Sequence, residues 1–271
     1  SMKLIPLLPI LIVETALAGG FANFTNQTDS RLEADSSLGS NDNRETDYAW
    51  GDLDLDGDID LICVRKEPFT TTGHNVNVLF MNEGGVLVDR TQEYATNSDV
   101  SGDSGFLTPT NDLDVVLADL DLDGWLDFIT VTTLSDNEAK HISHPRVYMN
   151  LGEIDGIWQG FRFENARMPQ MHATASPRFC SLAIGNINGD PYPDLYFGDY
   201  DSGPSQIYDY NNRLLINDGN GFFTDESTQR MTSEMLLSAF GAASVIADMN
   251  NDGVDDVVKQ TSLNPPQHVA I

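Results

Sequence analysis

The chain is poor in positive charge. Of its 271 residues only 14 are Lys or Arg, against 42 Asp or Glu, and the formal net charge is −28. That balance excludes nucleic acid as a partner, because phosphate binding needs clustered cations. It disfavours anionic membrane surfaces for the same reason. Cysteine is scarce too: Cys63 and Cys180 are too few for a disulfide framework. Each lies in an apolar run that reads as a strand, "DLICV" and "FCSLAIG", which predicts two separate buried thiols, with a bridge between them as the alternative. Long apolar stretches are missing beyond the first twenty residues, so no integral membrane segment is predicted for the mature chain. There is no long helical periodicity, no G-x-S-x-G nucleophile turn and no Gly-rich phosphate loop. With 40% hydrophobic residues the chain is nevertheless no disordered acidic tail.

The first twenty residues, "SMKLIPLLPILIVETALAGG", carry Lys3, an apolar run over 4–13 and a small-x-small pattern at Ala16-Leu17-Ala18. This predicts a secretory signal over residues 1–18 and an exported domain over 19–271, secreted or held in the periplasm or at a bacterial cell surface. Free calcium is plentiful in such compartments. "NFT" at Asn23 and "NQT" at Asn26 match the glycosylation sequon, which matters only in a eukaryotic secretory pathway.

What the chain does have is an acidic stretch that recurs. "DLDLDGDID" begins at Asp52, "DLDLDGWLD" at Asp119, "NINGDPYPD" at Asn186 and "DMNNDGVDD" at Asp248, at spacings of 67, 67 and 62 residues. A near-constant period is the mark of a repeat architecture. Short apolar runs flank each copy. About twenty residues later comes a third run ending in Asn, a glycine turn and a fourth run, as in "VLFMNEGGVLVDRT" and "LLINDGNGFFTDEST". Runs of four to six β-branched and aromatic residues joined by Gly/Asn/Asp turns are hairpin strands. Each unit therefore holds four antiparallel strands, with the acidic loop joining the first to the second. Four-stranded units repeated radially make a β-propeller.

Four or five carboxylates on one tight loop repel one another unless a cation sits among them. Calcium is a hard cation that takes six to eight oxygens. Alternate positions 1, 3 and 5 aim side-chain oxygens at one centre, glycine at position 6 permits the turn, position 7 offers a backbone carbonyl and position 9 closes the sphere. The predicted ligands are Asp52, Asp54, Asp56, Asp58 and Asp60 in the first loop, and Asp119, Asp121, Asp123, Trp125 and Asp127 in the second. The third loop offers Asn186, Asn188, Asp190, Tyr192 and Asp194, and the fourth Asp248, Asn250, Asp252, Val254 and Asp256. Up to four Ca2+ ions are expected. An EF-hand needs a glutamate at position 12 and flanking helices. Here position 12 is Cys63, Thr130, Phe197 or Lys259, and the flanks are strands, so the EF-hand is excluded. The third loop is the weakest site, with Asn at two positions and Pro191 in place of the turn glycine.

The pattern D-x-[DN]-x-[DN]-G-x-x-D between strands, at a period near sixty, resembles the FG-GAP/VCBS repeats of integrin-α-like propellers. "AFGAASVIADMNNDGVDDVV" carries a Phe240-Gly241 pair ahead of its loop, and the style is most similar to bacterial members and the cartilage acidic protein group. The resemblance covers nearly the whole mature chain. It implies an all-β propeller with one calcium per motif-bearing blade and a role in extracellular adhesion or recognition, without catalysis in most members. Propellers of this family usually close with seven blades. About four are present here, so the chain reads as the N-terminal part of a larger ring. The alternative is a four-bladed ring closed by its own N-terminal strand.

Since the calcium loops share one face, the loops joining strands two to three and blade to blade emerge on the other. These longer segments, 66–75, 133–145, 199–212, 95–112 and 166–178, carry Phe69, His74, His141, His144, Tyr200, Tyr208, Tyr210, Met168 and Met171. That face is the predicted seat of a protein or glycan partner. The competing reading is a carbohydrate-active enzyme of the polysaccharide-lyase kind, with "KHISHPR" (140–146) supplying a histidine base.

Overall fold

The computed structural model describes residues 24–34, 43–67, 74–172, 175–200, 211–237 and 243–259. The expected signal segment, Asn23, Phe69, Tyr208, Tyr210, the Phe240-Gly241 pair and the last twelve residues lie outside these. Within them the chain is all-β, and its helices are single turns of three to five residues.

The strand sequences alternate between two cores, as a sheet buried on both faces requires. In the first repeat, β1 (Leu32–Glu33) is followed by β2 (Glu45–Gly51), β3 (Asp60–Lys66), β4 (Val78–Asn82) and β5 (Leu87–Asp89), in the sheet order β1-β5-β4-β3-β2. The second repeat adds β6 (Asn97–Ser98), β7 (Asp112–Ala118), β8 (Asp127–Thr132), β9 (Arg146–Asn150), the small hairpin β10 (Glu153–Ile154) and β11 (Ile157–Trp158), and β12 (Phe161–Phe163). Its sheet order is β6-β12-β9-β8-β7. The third is the four-stranded sheet β13 (Phe179–Gly185), β14 (Asp194–Asp199), β15 (Arg213–Asn217) and β16 (Phe223–Asp225). Of the fourth, β17 (Ser244–Ala247) and β18 (Asp256–Lys259) are described. In the first three units the four repeat strands pair antiparallel, as expected, and in the fourth β17 pairs antiparallel with β18.

The first two sheets depart from the expected four strands. Each gains a fifth, outermost strand of two residues that pairs parallel, β1 on β5 and β6 on β12. The segment leading into each unit thus covers an edge that would otherwise be open. The four-bladed alternative calls on residues 19–28 and on the end of the last blade, of which 19–23 and 260–271 lie outside the described residues.

The sheets stack in chain order, with the first strands β2, β7, β13 and β17 in contact one after the next. Ile62, Val64 and Leu79 of the first sheet meet Val115, Phe128, Tyr148, Phe161 and Phe163 of the second. Ile129, Val131, Val147 and Met149 meet Phe179, Leu182, Leu195 and Phe197 of the third. Tyr196 and Leu214 meet Ile246 and Val257 of the fourth. Period-two alternation decides the allocation: Leu195 and Phe197 face one neighbour, Tyr196 the other. Close approach demands small residues at the strand ends, where a Cβ on Gly51 would lie 2.8 Å from Leu126 Cδ1. Among the described residues the sheets do not close on themselves, and the first and last expose apolar side chains, Tyr48 and Trp50 on β2 and Val245 on β17. Cys63 and Cys180 are buried in different sheets with their thiols directed at the carbonyls of Val64 and Gly198, as two separate thiols.

Candidate metal centres

All four acidic loops lie between the first and second strand of a sheet. Their backbone is built alike. Position 4 has positive φ in every copy: Leu55 (59°), Leu122 (59°), Gly189 (84°) and Asn251 (62°). Position 6 does so in three: Gly57 (98°), Gly124 (96°) and Gly253 (90°). Pro191 cannot follow, so the third loop turns on its position-4 glycine.

The side chains stitch each loop to itself. The position-6 amide donates to the position-1 carboxylate: Gly57 N to Asp52 Oδ2 (3.1 Å), Gly124 N to Asp119 Oδ2 (2.9 Å) and Gly253 N to Asp248 Oδ2 (2.9 Å). In the third loop the donor is Gly189, to Asn186 Oδ1 at 2.7 Å. The position-5 carboxylate accepts the position-7 amide throughout, from Asp58, Trp125, Tyr192 and Val254 to Asp56, Asp123, Asp190 and Asp252.

Position 9 has a structural task besides any ligand role. Asp60 accepts from Leu53 N (2.9 Å) and Asn82 N (2.8 Å), and Asp127 from Leu120 N (2.9 Å) and Asn150 N (2.8 Å). Asp194 accepts from Ile187 N (3.0 Å) and Asn217 N (2.9 Å), and Asp256 from Met249 N (3.1 Å). Burial pushes the Asp60 carboxyl up to about 6 and the Asp127 carboxyl up to about 7, and raises Asp194, although the two amides on each pull the other way. Asp54 and Asp121 are raised too, by burial and then by the charges of Asp56 and Asp123. The Arg167 guanidinium opposes this at Asp121, as the smallest of the effects there.

Ligand atoms of Asp52, Asp54 and Asp60 lie within 4.8 Å of one another, and those of Asp119, Asp121 and Asp127 do the same. Each of these two clusters contains a buried oxygen with no hydrogen-bond partner, Asp52 Oδ1 and Asp121 Oδ1. An orphaned buried carboxylate oxygen is costly unless something electropositive meets it. The all-oxygen donor set fits a hard dication such as calcium or magnesium, and not a thiophilic metal. Asp56 and Asp123 stand outside the two clusters, turned to the amides they cap. The third and fourth loops bring no three acids together among the described residues, because position 3 is Asn188 and Asn250.

Residues 186–258, from the third loop to the second strand of the fourth sheet, match the model of the FG-GAP-like repeat. This stretch is similar to an FG-GAP-like repeat. Its layout of acidic loop, strand, hairpin, strand and acidic loop is repeated by residues 52–132 of the first two sheets. No curated protein matches the chain. Among solved structures, a lectin of Agrocybe aegerita, described as recognising non-reducing terminal N-acetylglucosamine, is similar over 79% of this chain and 60% of that one, at 12% identity and a TM-score of 0.37.

On the opposite face, a polar cavity of ≈ 460 Å³ opens between segments 133–145 and 166–178. Asn137, Glu138, Lys140, Ser143, His144 and Gln170 contribute to its lining. His144 is buried, with Ser143 Oγ 3.0 Å from Nδ1 and Gln170 Nε2 3.2 Å from Nε2. Burial, with Lys140 and Arg213 nearby, pushes its imidazole down to about 4. Met168 and Met171, expected as exposed anchors, are instead buried between the second and third sheets. The wedge between two twisted sheets leaves irregular space, and unbranched Met fills it.

Proposed function

We propose that the protein is an exported, calcium-binding β-propeller that serves as a recognition scaffold for a macromolecule or glycan. The observation that carries the metal half is the pair of three-carboxylate clusters at equivalent places in successive sheets, each holding a buried oxygen without a partner. The serial stacking of the sheets and the FG-GAP-like repeat support the propeller. No helix among the described residues is long and apolar enough to cross a membrane.

The residues that hold the ion are those of the four loops, with the first two the strongest and the third the weakest. Calcium supplies the positive charge that the clustered carboxylates need, and the loops then become rigid edges of the stack. Partner binding belongs to the opposite face, where the polar cavity around Lys140 and Gln170 offers donors and acceptors to hydroxyl-rich ligands. His144 gives no support to the enzyme reading, since both its ring nitrogens are engaged and burial holds it neutral. The test is a melting curve of chelator-treated protein, with calcium or magnesium then restored. Calcium raises the midpoint by several degrees and magnesium by much less, since magnesium demands a smaller octahedral site. Equal curves in chelator and calcium refute the metal half. A glycan and protein-ligand screen whose binders survive Gln170→Ala and Lys140→Ala together refutes the assignment of the cavity.

A further inference from the structure

The Asn that ends the third strand of each complete unit does more than open a turn. In the second sheet, Asn150 Oδ1 accepts from Gly152 N (3.0 Å) and Trp158 Nε1 (2.8 Å). Two donors on one side of the amide fix its orientation, so that Nδ2 faces the other way as a donor. There it reaches two carbonyls: Leu126 O in its own acidic loop (3.2 Å) and Leu53 O in the acidic loop of the preceding sheet (2.8 Å), 97 residues away.

The third sheet repeats the device. Asn217 Oδ1 accepts from Gly219 N (2.9 Å) and Gly221 N (3.1 Å), and Nδ2 donates to Pro193 O (3.1 Å) in its own loop and Leu120 O (2.8 Å) in the preceding one, again 97 residues away. Both amides are buried. In the first sheet, among the described residues, Asn82 Nδ2 reaches Ile59 O within its own loop, and no described sheet precedes it.

The carbonyls so held are well placed. Leu53 and Leu120 are loop position 2, between the carboxylates at positions 1 and 3. Their side chains are fully buried and their amides are pinned by Asp60 and Asp127. Fixing the carbonyl as well orients the peptide that leads into Asp54 or Asp121. We infer that Asn150 and Asn217 are positioning residues for the metal loops of two sheets at once, and that through them loop one is coupled to loop two and loop two to loop three. This rests on the metal reading above. Coupling of this kind is reciprocal: an ion that stiffens one loop favours its neighbour.

The experiment is a calcium titration of uniformly labelled protein followed by NMR, with the amides of Gly57, Gly124, Gly189 and Gly253 reporting the four loops separately. Wild type is compared with Asn150→Ala and Asn217→Ala. Losing the two-carbonyl contact should weaken calcium at loops one and two about three- to tenfold in Asn150→Ala and leave loop four at its wild-type affinity. Asn217→Ala should weaken loops two and three most and loop one, reached only through loop two, less. A purely structural role would lower all loops alike, which overturns the inference, as does an Asn150→Ala protein whose loop one binds as in wild type. If Asn150→Ala does not fold, Asn217→Ala alone decides by the same pattern. Failure of the metal reading is a separate outcome, in which the wild-type glycine amides do not respond to calcium at all.

Discussion

Strip the protein of divalent cations with a chelator and melt it between pH 5 and 8. Asp127 and Asp60 are each only 1% exposed, and their carboxyls are pushed up to about 7 and about 6 from the ordinary 3.8. Between the ordinary and the raised value the folded chain holds a proton that the unfolded chain has lost. The resulting stabilisation is fully present below about pH 4 and is lost as pH rises through 6 and then 7. For Asp127 alone the loss between pH 5 and 8 amounts to about 2.7 kcal/mol, at 1.36 kcal/mol per tenfold change in proton affinity. In a domain of this size that is a fall of about 5–10 °C in melting temperature. Calcium competes with those protons, so its stabilising effect should grow over the same range. Asp114 must be allowed for. It is also raised, by burial and by its hydrogen bond with Asp47, it lies outside the loops, and it keeps its slope with calcium present. The quantity to read is therefore the calcium-induced rise in midpoint at each pH, by differential scanning calorimetry. It should increase steadily from pH 5 to 8, while the chelated protein becomes less stable, and Asp127→Asn should flatten both trends. A chelated protein that gains stability from pH 5 to 8, or a calcium effect independent of pH, would refute the reasoning.

Other perturbations follow from single contacts. Leu122 sits at φ 59° with its side chain half in solvent, so Leu122→Gly should relieve backbone strain and stabilise the chelated protein by about 1 kcal/mol in urea titrations. Gly219 has φ 87° and lies under Tyr192, where a Cβ would sit 2.7 Å from the ring, so Gly219→Ala should lower the urea midpoint by the equivalent of about 1–3 kcal/mol. Arg146 and Asp103 form a fully buried ion pair at 2.9 Å, with the guanidinium 3.7 Å over the Phe163 ring. Arg146→Ala strands the carboxylate and should cost about 3–5 kcal/mol, whereas Arg146→Met with Asp103→Leu should recover most of it.

The acidic loops were legible because their chemistry is local: nine residues fix the spacing of oxygens, and four copies remove chance. The strands on either side followed from apolar runs and hairpin turns. The outer strands β1 and β6 were not legible, since two residues have no period to detect. Depth was not legible either. Segment 166–178 has the length of a surface loop, yet Met168 and Met171 drop into the space between sheets, and nothing in the local sequence signals how far a loop sinks. The recurring Asn before the glycine turn was visible as a strand end. Its second partner, a carbonyl 97 residues away, belongs to the stacking of sheets and is not written in either segment. At loop position 5, expected as a ligand, Asp56 and Asp123 each accept the amide two residues on through Oδ1.

The most direct test of the central claim is calorimetric titration of the chelated protein with calcium, alongside Asp52→Ala and Asp121→Ala. At least two ions should bind per chain, and each substitution should remove one of them while the protein stays folded by circular dichroism. No heat of binding, or a stoichiometry unchanged in both variants, would contradict the claim that these loops are metal sites.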